Sequence, residues 1–234
     1  MKYKSRAIAL TYIKHGESSI ISRLFTEEKG LQSFIIKGAR SKKSKRKLSY
    51  FEPLTRLNIN GVFSEKNSLQ FLEDISIYKA SRLTMGQVKR NFIAFFIAEI
   101  NSKVLQENDQ NKILFDFLWK TTEYLYLADP IDINFPLKYL LELSGFLGFY
   151  PSTLDINNPF FNLENGCFVE KNDSTTTLGE QKSTFLKALI NKKKLSLTQD
   201  ERSALLRVFF LYYKLQHYNL DGITSHLIIE SLRK

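Results

Sequence analysis

The sequence predicts an α+β protein in which a small β-barrel precedes an α-helical domain. Apolar residues recur with period two up to about residue 78, and with a period of about 3.6 from Thr84 onward. The chain has 234 residues, which is enough to bury a sizeable core in one or two domains. We therefore expect two domains, over residues 1–80 and 81–234.

Five short strands account for the first part of the chain. Alternating apolar residues, or compact β-branched and aromatic runs, mark them at residues 8–12, 20–25, 31–36, 55–59 and 69–77. Turn residues such as Gly30 and Gly61 stand between the runs. Strands this short suit a closed barrel better than an open sheet, because closure removes exposed edges. The five-stranded OB-type barrel is the natural candidate.

Apolar stripes with helical spacing predict the second domain. They indicate helices over residues 92–104, 114–125 and 134–148, then one after a capping box at residues 198–201 and a short one after residue 221. Pro136 near the start of the third helix is a common initiation signal. The stripes are wide and aromatic, as expected of helices that pack on one another.

The helical pattern breaks at residues 152–178. Two apolar runs, residues 160–163 and 166–169, flank the dipeptide Asn165-Gly166. Asn-Gly is the favoured sequence of a tight β-hairpin turn. We therefore predict a small hairpin-like insert between the helices.

Positive charge is concentrated in the first third of the chain. The formal net charge is +10, from 34 basic and 24 acidic residues. Residues 1–80 hold 16 of the basic and 7 of the acidic side chains, a net of +9, so the remaining residues contribute +1. Such asymmetry indicates a polyanionic partner for the first domain.

The densest charge lies in residues 37–47, where seven of eleven side chains are basic and none is acidic: Lys37, Arg40, Lys42, Lys43, Lys45, Arg46 and Lys47. The other residues are Gly, Ala and Ser, so the segment cannot bury itself and we expect a mobile cationic loop between strands. Its cations can neutralise phosphates, with an affinity that falls steeply as salt rises. The competing interpretation is a charge run that serves only solubility.

Aromatic residues near the loop could supply stacking surfaces for bases, as in other OB-type barrels that bind single strands. Tyr50 and Phe51 lie just beyond the loop and are the candidates, whereas we expect Phe34 and Phe71 in the core. Further cations could extend the nucleic-acid track: Arg6, Lys14, Arg23 and Arg56. Nothing in this set indicates base-specific recognition.

The sequence does not support catalysis. It has no Gly-rich phosphate loop or nucleophile elbow, and its three histidines are far apart. With one cysteine, Cys167, the chain can form neither an internal disulfide nor a multi-cysteine zinc site. We expect a non-enzymatic binding protein that works reduced in the cytoplasm. No apolar run is long enough for a membrane helix.

Several segments carry a family resemblance, among them residues 7–12, 17–21 and 51–54 and three more specific motifs. These motifs are a Phe-Thr-x-x-x-Gly pattern at residues 25–30, Lys-Gly-Ala-Arg at residues 37–40, and the helical stretch LLELSGFLGFYP at residues 140–151. With these motifs the chain resembles the bacterial recombination mediator family RecO over essentially its whole length.

The resemblance implies an OB domain followed by a helical domain, and a role in DNA repair and recombination. It implies binding of single- and double-stranded DNA, strand annealing, and assistance to RecA loading on DNA coated with single-strand-binding protein (SSB), together with RecR. The basic loop would contact DNA. A pocket near Lys138 and Tyr139 would receive the acidic C-terminal tail of SSB. The expected location is the cytoplasm, in association with the nucleoid.

One departure from the family concerns zinc. Many members carry a four-cysteine module where this chain has residues 152–178, and only Cys167 is present here. We expect no zinc and no other cofactor, and an insert held together by hairpin packing.

Two alternatives remain open at this point. An RNA-binding protein could use the same scaffold, because the electrostatic contribution is common to both polymers. Alternatively, residues 81–234 could act as a protein-interaction adaptor, with an incidental basic loop.

Overall fold

The computed structural model describes residues 1–41, 48–78 and 88–231. The chain divides into two compact units, Met1–Ile131 and Asp132–Lys234. The first unit extends well past residue 80, because two helices after the barrel belong to the same compact unit.

Five strands form the closed barrel that the sequence predicts: β1 (Lys2–His15), β2 (Ser19–Thr26), β3 (Gly30–Ile36), β4 (Arg56–Val62) and β5 (Gln70–Ile77). They follow the order β1-β2-β3-β5-β4, and β4 also pairs with β1, which closes the barrel. The β3–β5 pair is parallel and the other four are antiparallel. The predicted α+β class and OB-type barrel are confirmed.

The 14-residue strand β1 pairs with β2 along one edge and with β4 along the other, and its register with β2 shifts once. Its first half pairs with β4, starting at Lys2 opposite Val62, and its last residue, His15, pairs with Ser19 of β2. The shift lies between Ala9 and Thr11. Irregularities of this kind bend and twist a strand, which lets β1 curve around the barrel.

Two helices complete the first unit, α1 (Val88–Val104) and α2 (Lys112–Leu127). The side chain of Asn111 caps α2 by accepting a hydrogen bond from the Leu114 N–H at 2.9 Å. The ring of Phe115 on α2 lies 5.5 Å from that of Phe25 on β2. Both helices overlap the predicted stripes. No helix within the described ranges is both long and apolar enough to cross a membrane.

The second unit combines helices with a small sheet: α3 (Phe135–Phe146), β6 (Phe160–Asn162), β7 (Cys167–Val169), β8 (Thr177–Leu178), α4 (Glu180–Ile190), α5 (Gln199–Leu215) and α6 (Ser225–Ser231). The predicted capping box is present. The Thr198 hydroxyl accepts from the Glu201 N–H at 3.2 Å, and the Glu201 carboxylate accepts from the Thr198 N–H at 2.8 Å. Helix α4 and strand β8 were not predicted.

The predicted hairpin is β6 with β7, and β8 pairs with the other edge of β6. Aromatic packing holds this insert. The Phe161 ring lies 4.9 Å from that of Phe168 and 5.7 Å from that of Tyr212 on α5. The amide of Asn162 adds polar links, since its oxygen accepts from the Asn165 N–H at 2.8 Å and its nitrogen donates to Thr177 Oγ1 at 3.2 Å.

Replacing Gly30 by alanine should destabilise the first unit more than replacing Gly16. Both residues have positive φ, +63° and +56°. A left-handed conformation costs an L-residue about 1–2 kcal/mol. A Cβ on Gly30 would also lie 2.1 Å from the Asp109 carbonyl oxygen, whereas one on Gly16 meets nothing within 4 Å. We expect crowding to cost Gly30→Ala about 1–3 kcal/mol more in unfolding free energy, measured by denaturant titration. Equal losses would contradict this account.

Candidate nucleic-acid interface

The start of the basic segment is fixed at one end of the barrel by Arg40. Its backbone N–H donates to the Ser18 carbonyl at 2.9 Å. Its guanidinium donates to the Gly16 carbonyl at 2.5 Å and also to that of Glu17. Arg40 therefore anchors the chain after β3 to the β1–β2 turn, a role that differs from the phosphate contact expected from the sequence.

Two predicted nucleic-acid residues are exposed at this end of the barrel, Lys14 on β1 and Lys37 just after β3. The pairing of Ile20 with Ile36 places the start of β2 beside the end of β3. Five predicted contacts lie outside the described residues: Lys42, Lys43, Lys45, Arg46 and Lys47. Their role stays a prediction.

The structure changes the assignment of aromatic residues. Phe51 ends the 3-10 helix Leu48–Phe51 and is 0% exposed in the barrel core, so the expectation that it stacks on bases is wrong. Tyr50 is half-buried against the same core. Phe34 is buried as expected, but Phe71 is 45% exposed, because its neighbour Leu72 takes the inward position on β5. Phe71 is therefore the more accessible ring.

Arg6 holds an internal contact between the barrel and α2. Its Nε and Nη2 donate to the two carboxylate oxygens of Glu27, each at 2.8 Å, and Nη2 lies 3.3 Å from Asp116 Oδ1. The guanidinium carbon is 5.4 Å from the Phe115 ring centre and 4.9 Å from that of Trp119. Arg6 is thus engaged within the first unit, contrary to its expected place in a free cationic track.

The bidentate contact also acts on the partner carboxylate. Hydrogen bonding from Arg6 lowers the pKa of Glu27 below its usual value, and Lys112 nearby acts in the same direction. Because the folded-state pKa is depressed, this pair stabilises the fold above the unfolded-state pKa. The contribution is lost as pH falls through the folded-state pKa.

Arg56 is buried in an aromatic box and is likewise internal. Its side chain is 5% exposed and its Nη1 lies 3.3 Å from Glu123 Oε1 on α2. Its guanidinium carbon lies within 5.2 to 5.7 Å of three ring centres, those of Tyr78, Trp119 and Tyr126. The prediction that Arg56 contacts nucleic acid is wrong, because its guanidinium is buried and lies against three aromatic rings. We call Arg6, Arg56, Trp119, Glu27 and Glu123 the arginine clasp.

Arg23 follows the same pattern as the clasp. Its Nη1 donates to the carbonyl oxygen of Ser102 on α1 and lies 3.0 Å from the hydroxyl of that residue. Burial lowers the pKa of Arg23. It too binds a helix of the first unit to the barrel.

Of the two residues expected to mark a pocket for the SSB tail, Tyr139 is buried and Lys138 is 44% exposed, so the placement of the tail there stays a prediction. Tyr139 is 2% exposed, and the Lys138 ammonium pairs with Asp132 Oδ2 at 2.6 Å. The second unit also has a groove of about 490 Å³ between β8 and α5. Apolar and basic side chains line it: Leu178, Val208, Leu211, Lys182 and Arg207. We call this the β8–α5 groove.

No group of three or more metal-binding side chains is present within the part of the chain that the structure describes. Cys167 is a free, half-buried thiol on β7. The expectation that this chain carries no zinc and no cofactor stays a prediction.

Family comparisons cover both units. The model of recombination protein O, N terminal, matches residues 1–80, and the model of its C terminal matches residues 85–219. The chain belongs to the RecO family. The resemblance carried by the motifs is confirmed.

Several members of the RecO family align with the chain end to end. The DNA repair protein RecO of Flavobacterium psychrophilum is 33% identical over 240 residues, covering 100% of this chain and 99% of that protein. That of Flavobacterium johnsoniae is 32% identical with the same coverage. The Azobacteroides pseudotrichonymphae protein is 26% identical over 239 residues, with 99% of each covered. This is therefore a RecO-family DNA repair protein.

Replacing Arg56 by lysine should lower stability and leave DNA affinity unchanged. Lysine keeps the charge but cannot match the planar contacts with three rings. We expect a loss of about 1–3 kcal/mol in unfolding free energy, measured by denaturant titration. The exposed Arg207→Lys serves as control and should change stability by no more than about 0.5 kcal/mol. A stable Arg56→Lys variant with weakened DNA binding would return Arg56 to the interface.

Proposed function

We propose that this chain is a non-enzymatic mediator of DNA repair and recombination. It binds single- and double-stranded DNA, anneals complementary strands, and assists RecA loading on SSB-coated DNA together with RecR. The observation that carries the proposal is the basic segment, residues 37–47, anchored through Arg40 at one end of an OB-type barrel in a RecO-family chain. Binding and annealing require no covalent step.

The proposed mechanism rests on charge. Two phosphate backbones repel each other, and a cationic surface that contacts both lowers this repulsion. Each lysine or arginine placed at a phosphate also releases condensed counterions, which drives binding without reading the bases. Lys14 and Lys37 are exposed for this purpose, and the exposed ring of Phe71 on β5 is available to stack on a base.

The β8–α5 groove suits the proposed contact with the acidic tail of SSB. Val208 and Leu211, the latter 43% exposed, are among its lining residues, and Lys182 and Arg207 supply positive charge. Arg207 Nε lies 3.8 Å from Glu230 Oε1 with its side chain 69% exposed, so the ion pair is weak and can exchange for a ligand carboxylate. An acidic peptide with an apolar end matches both features.

Replacing Lys42, Lys43, Lys45, Arg46 and Lys47 by glutamine should weaken DNA binding and slow annealing. The slope of log affinity against log salt is negative, and each lost phosphate contact reduces its magnitude by about 0.7 for single strands, so we expect the slope to flatten by up to about 3.5. Fluorescence anisotropy on a labelled oligonucleotide across a salt series measures the slope, and annealing of complementary strands is followed in parallel.

The matched control has the same net charge, with Lys66, Lys103, Lys120, Lys171 and Lys214 replaced by glutamine. These side chains are exposed and lie elsewhere in sequence. If this control loses as much affinity as the loop variant, overall charge explains the effect and the loop is not the binding surface. Competition by RNA of the same sequence tests the RNA-binding alternative, which requires RNA to displace DNA at equal or lower concentration.

Reversing the charges of Lys182 and Arg207 should weaken binding of an acidic, Phe-ended peptide that mimics an SSB tail. We expect about a tenfold loss, since each exposed charge contributes up to about 1 kcal/mol. Anisotropy of the labelled peptide on the full chain measures it. Lys138→Glu should leave the peptide affinity unchanged. The opposite pattern would place the tail site at α3.

A further inference from the structure

A segregated basic stretch lies in the second compact unit. Residues 181–199 contain no acidic residue and five lysines: Lys182, Lys187, Lys192, Lys193 and Lys194. The near-neutral sum of the second part of the chain conceals this segregation, because its acidic residues lie elsewhere. Three of the lysines are consecutive, and we call residues 192–194 the lysine turn.

The backbone of the lysine turn is held in place by hydrogen bonds. The Lys192 N–H donates to the Leu189 carbonyl at 3.0 Å and the Lys193 N–H to that of Ala188 at 2.9 Å, which ends α4 in a tight turn. Asn134, at the start of α3, donates from Nδ2 to the Leu195 carbonyl at 3.0 Å. The turn is thus fixed on both sides.

All three ammonium groups of the lysine turn lie on exposed side chains. Among the ion pairs of the described residues, one reaches the turn, between Lys192 Nζ and Glu142 Oε1 at 4.0 Å, and both of these side chains are well exposed. Such a pair is weak and leaves the cation available to a ligand. A rigid backbone with accessible cations is a surface that binds an anion without first having to be ordered.

The dipole at the C-terminus of α4 does not explain why all three residues of the lysine turn are basic. The dipole effect falls off within the last turn of a helix, and Lys187 already occupies that turn. Lys193 and Lys194 lie beyond it. Lys192 has a φ of +54°, a conformation that favours glycine, yet a cation stands there. Helix stability alone would be served better by glycine at this position.

We propose that the lysine turn is a second binding surface for the phosphodiester backbone of DNA, separate from the basic segment of the barrel. The choice of DNA as the polyanion rests on the proposed function. The surface contacts phosphates without reading bases, because lysines act as flexible point charges. One chain then has a cationic surface on each compact unit, which allows it to contact two strands.

The test uses the full chain with Lys192, Lys193 and Lys194 replaced by glutamine and a labelled oligo-dT. Three lost contacts should reduce the magnitude of the negative slope of log affinity against log salt by about 2. At about 0.1 M salt this corresponds to a loss of affinity of up to about a hundredfold. The control variant replaces Lys103, Lys120 and Lys171, three exposed lysines outside the stretch, and should keep most of the wild-type slope.

A second variant separates lost binding from lost folding. Lys192→Gly removes one charge and relieves the positive φ, so we expect a higher Tm together with a slope smaller by about 0.7. A protein that becomes more stable while binding DNA less tightly cannot owe the loss to unfolding. If Lys192→Gly raises Tm and leaves the salt slope unchanged, Lys192 does not contact DNA and the proposal is overturned for that residue.

The outcomes distinguish this inference from the proposed function. The variant with glutamines at residues 42, 43, 45, 46 and 47 should retain a weaker, salt-dependent affinity for DNA. If adding the triple substitution at residues 192–194 abolishes that remaining affinity, the lysine turn is the second surface. If the triple variant has the same slope as its control, this inference fails while the proposed function stands. Absence of salt-dependent DNA binding in the wild type overturns both. A triple variant that loses only binding to vesicles containing anionic lipid makes the turn a membrane contact and overturns the DNA assignment.

Discussion

Two guanidinium groups join the barrel to α2 around one indole ring. The guanidinium carbons of Arg6 and Arg56 lie 4.9 and 5.2 Å from the ring centre of Trp119, and each group has a carboxylate partner. Both ion pairs are partly exposed, with the Arg6 side chain 32% and the Glu123 side chain 50% exposed, so water screens them and the ring contacts of the two guanidinium groups add to the link. The arginine clasp is one of the contacts that join α2 to the barrel within the first compact unit, Met1–Ile131.

The arginines and lysines of the barrel region differ in what they contact, and the arginine clasp is one example. In the described part of the barrel region, Arg6, Arg23, Arg40 and Arg56 all bind protein groups. Among the lysines, Lys2 pairs with Glu73 and Lys29 lies over the Phe63 ring, whereas Lys4, Lys14 and Lys37 are exposed. The planar guanidinium has five donors and stacks on rings, so it satisfies several buried acceptors at once. The ammonium is strongly hydrated and stays in water. The charge that is available to a ligand is therefore smaller than the net charge of residues 1–80 and consists mainly of lysines.

The sequence was sufficient for those features whose signals are local. Period-two alternation located the strands, the Thr198 capping box located α5, and Asn165-Gly166 located the hairpin. The short helix α4 escaped detection because its buried stripe is only Ser183, Leu186 and Leu189, and β8 because it has two residues. A shift of one residue reverses the face of a strand, which is why Phe71 was wrongly assigned to the core.

The candidate site was harder to predict, because the residues next to an arginine in sequence do not show whether it pairs within the fold or faces the solvent. Glu27 is 21 residues from Arg6, and Glu123 is 67 residues from Arg56, so the pairing exists only once the barrel has closed and α2 has packed. The basic segment could be located from the sequence because residues 37–47 contain seven basic residues and no acidic one. Its contacts with DNA remain a prediction.

The separation of arginines from lysines also bears on how a mediator could release DNA. A surface made of hydrated point charges binds largely through counterion release, so its affinity responds strongly to salt and to competing polyanions. Bidentate arginine contacts would hold phosphates more tightly and with defined geometry. A protein that pairs strands and then yields them to another DNA-binding protein needs contacts that are numerous and individually weak. In the proposed function, exposed lysines on the two compact units meet that requirement, while Arg6, Arg23, Arg40 and Arg56 bind groups of the protein itself.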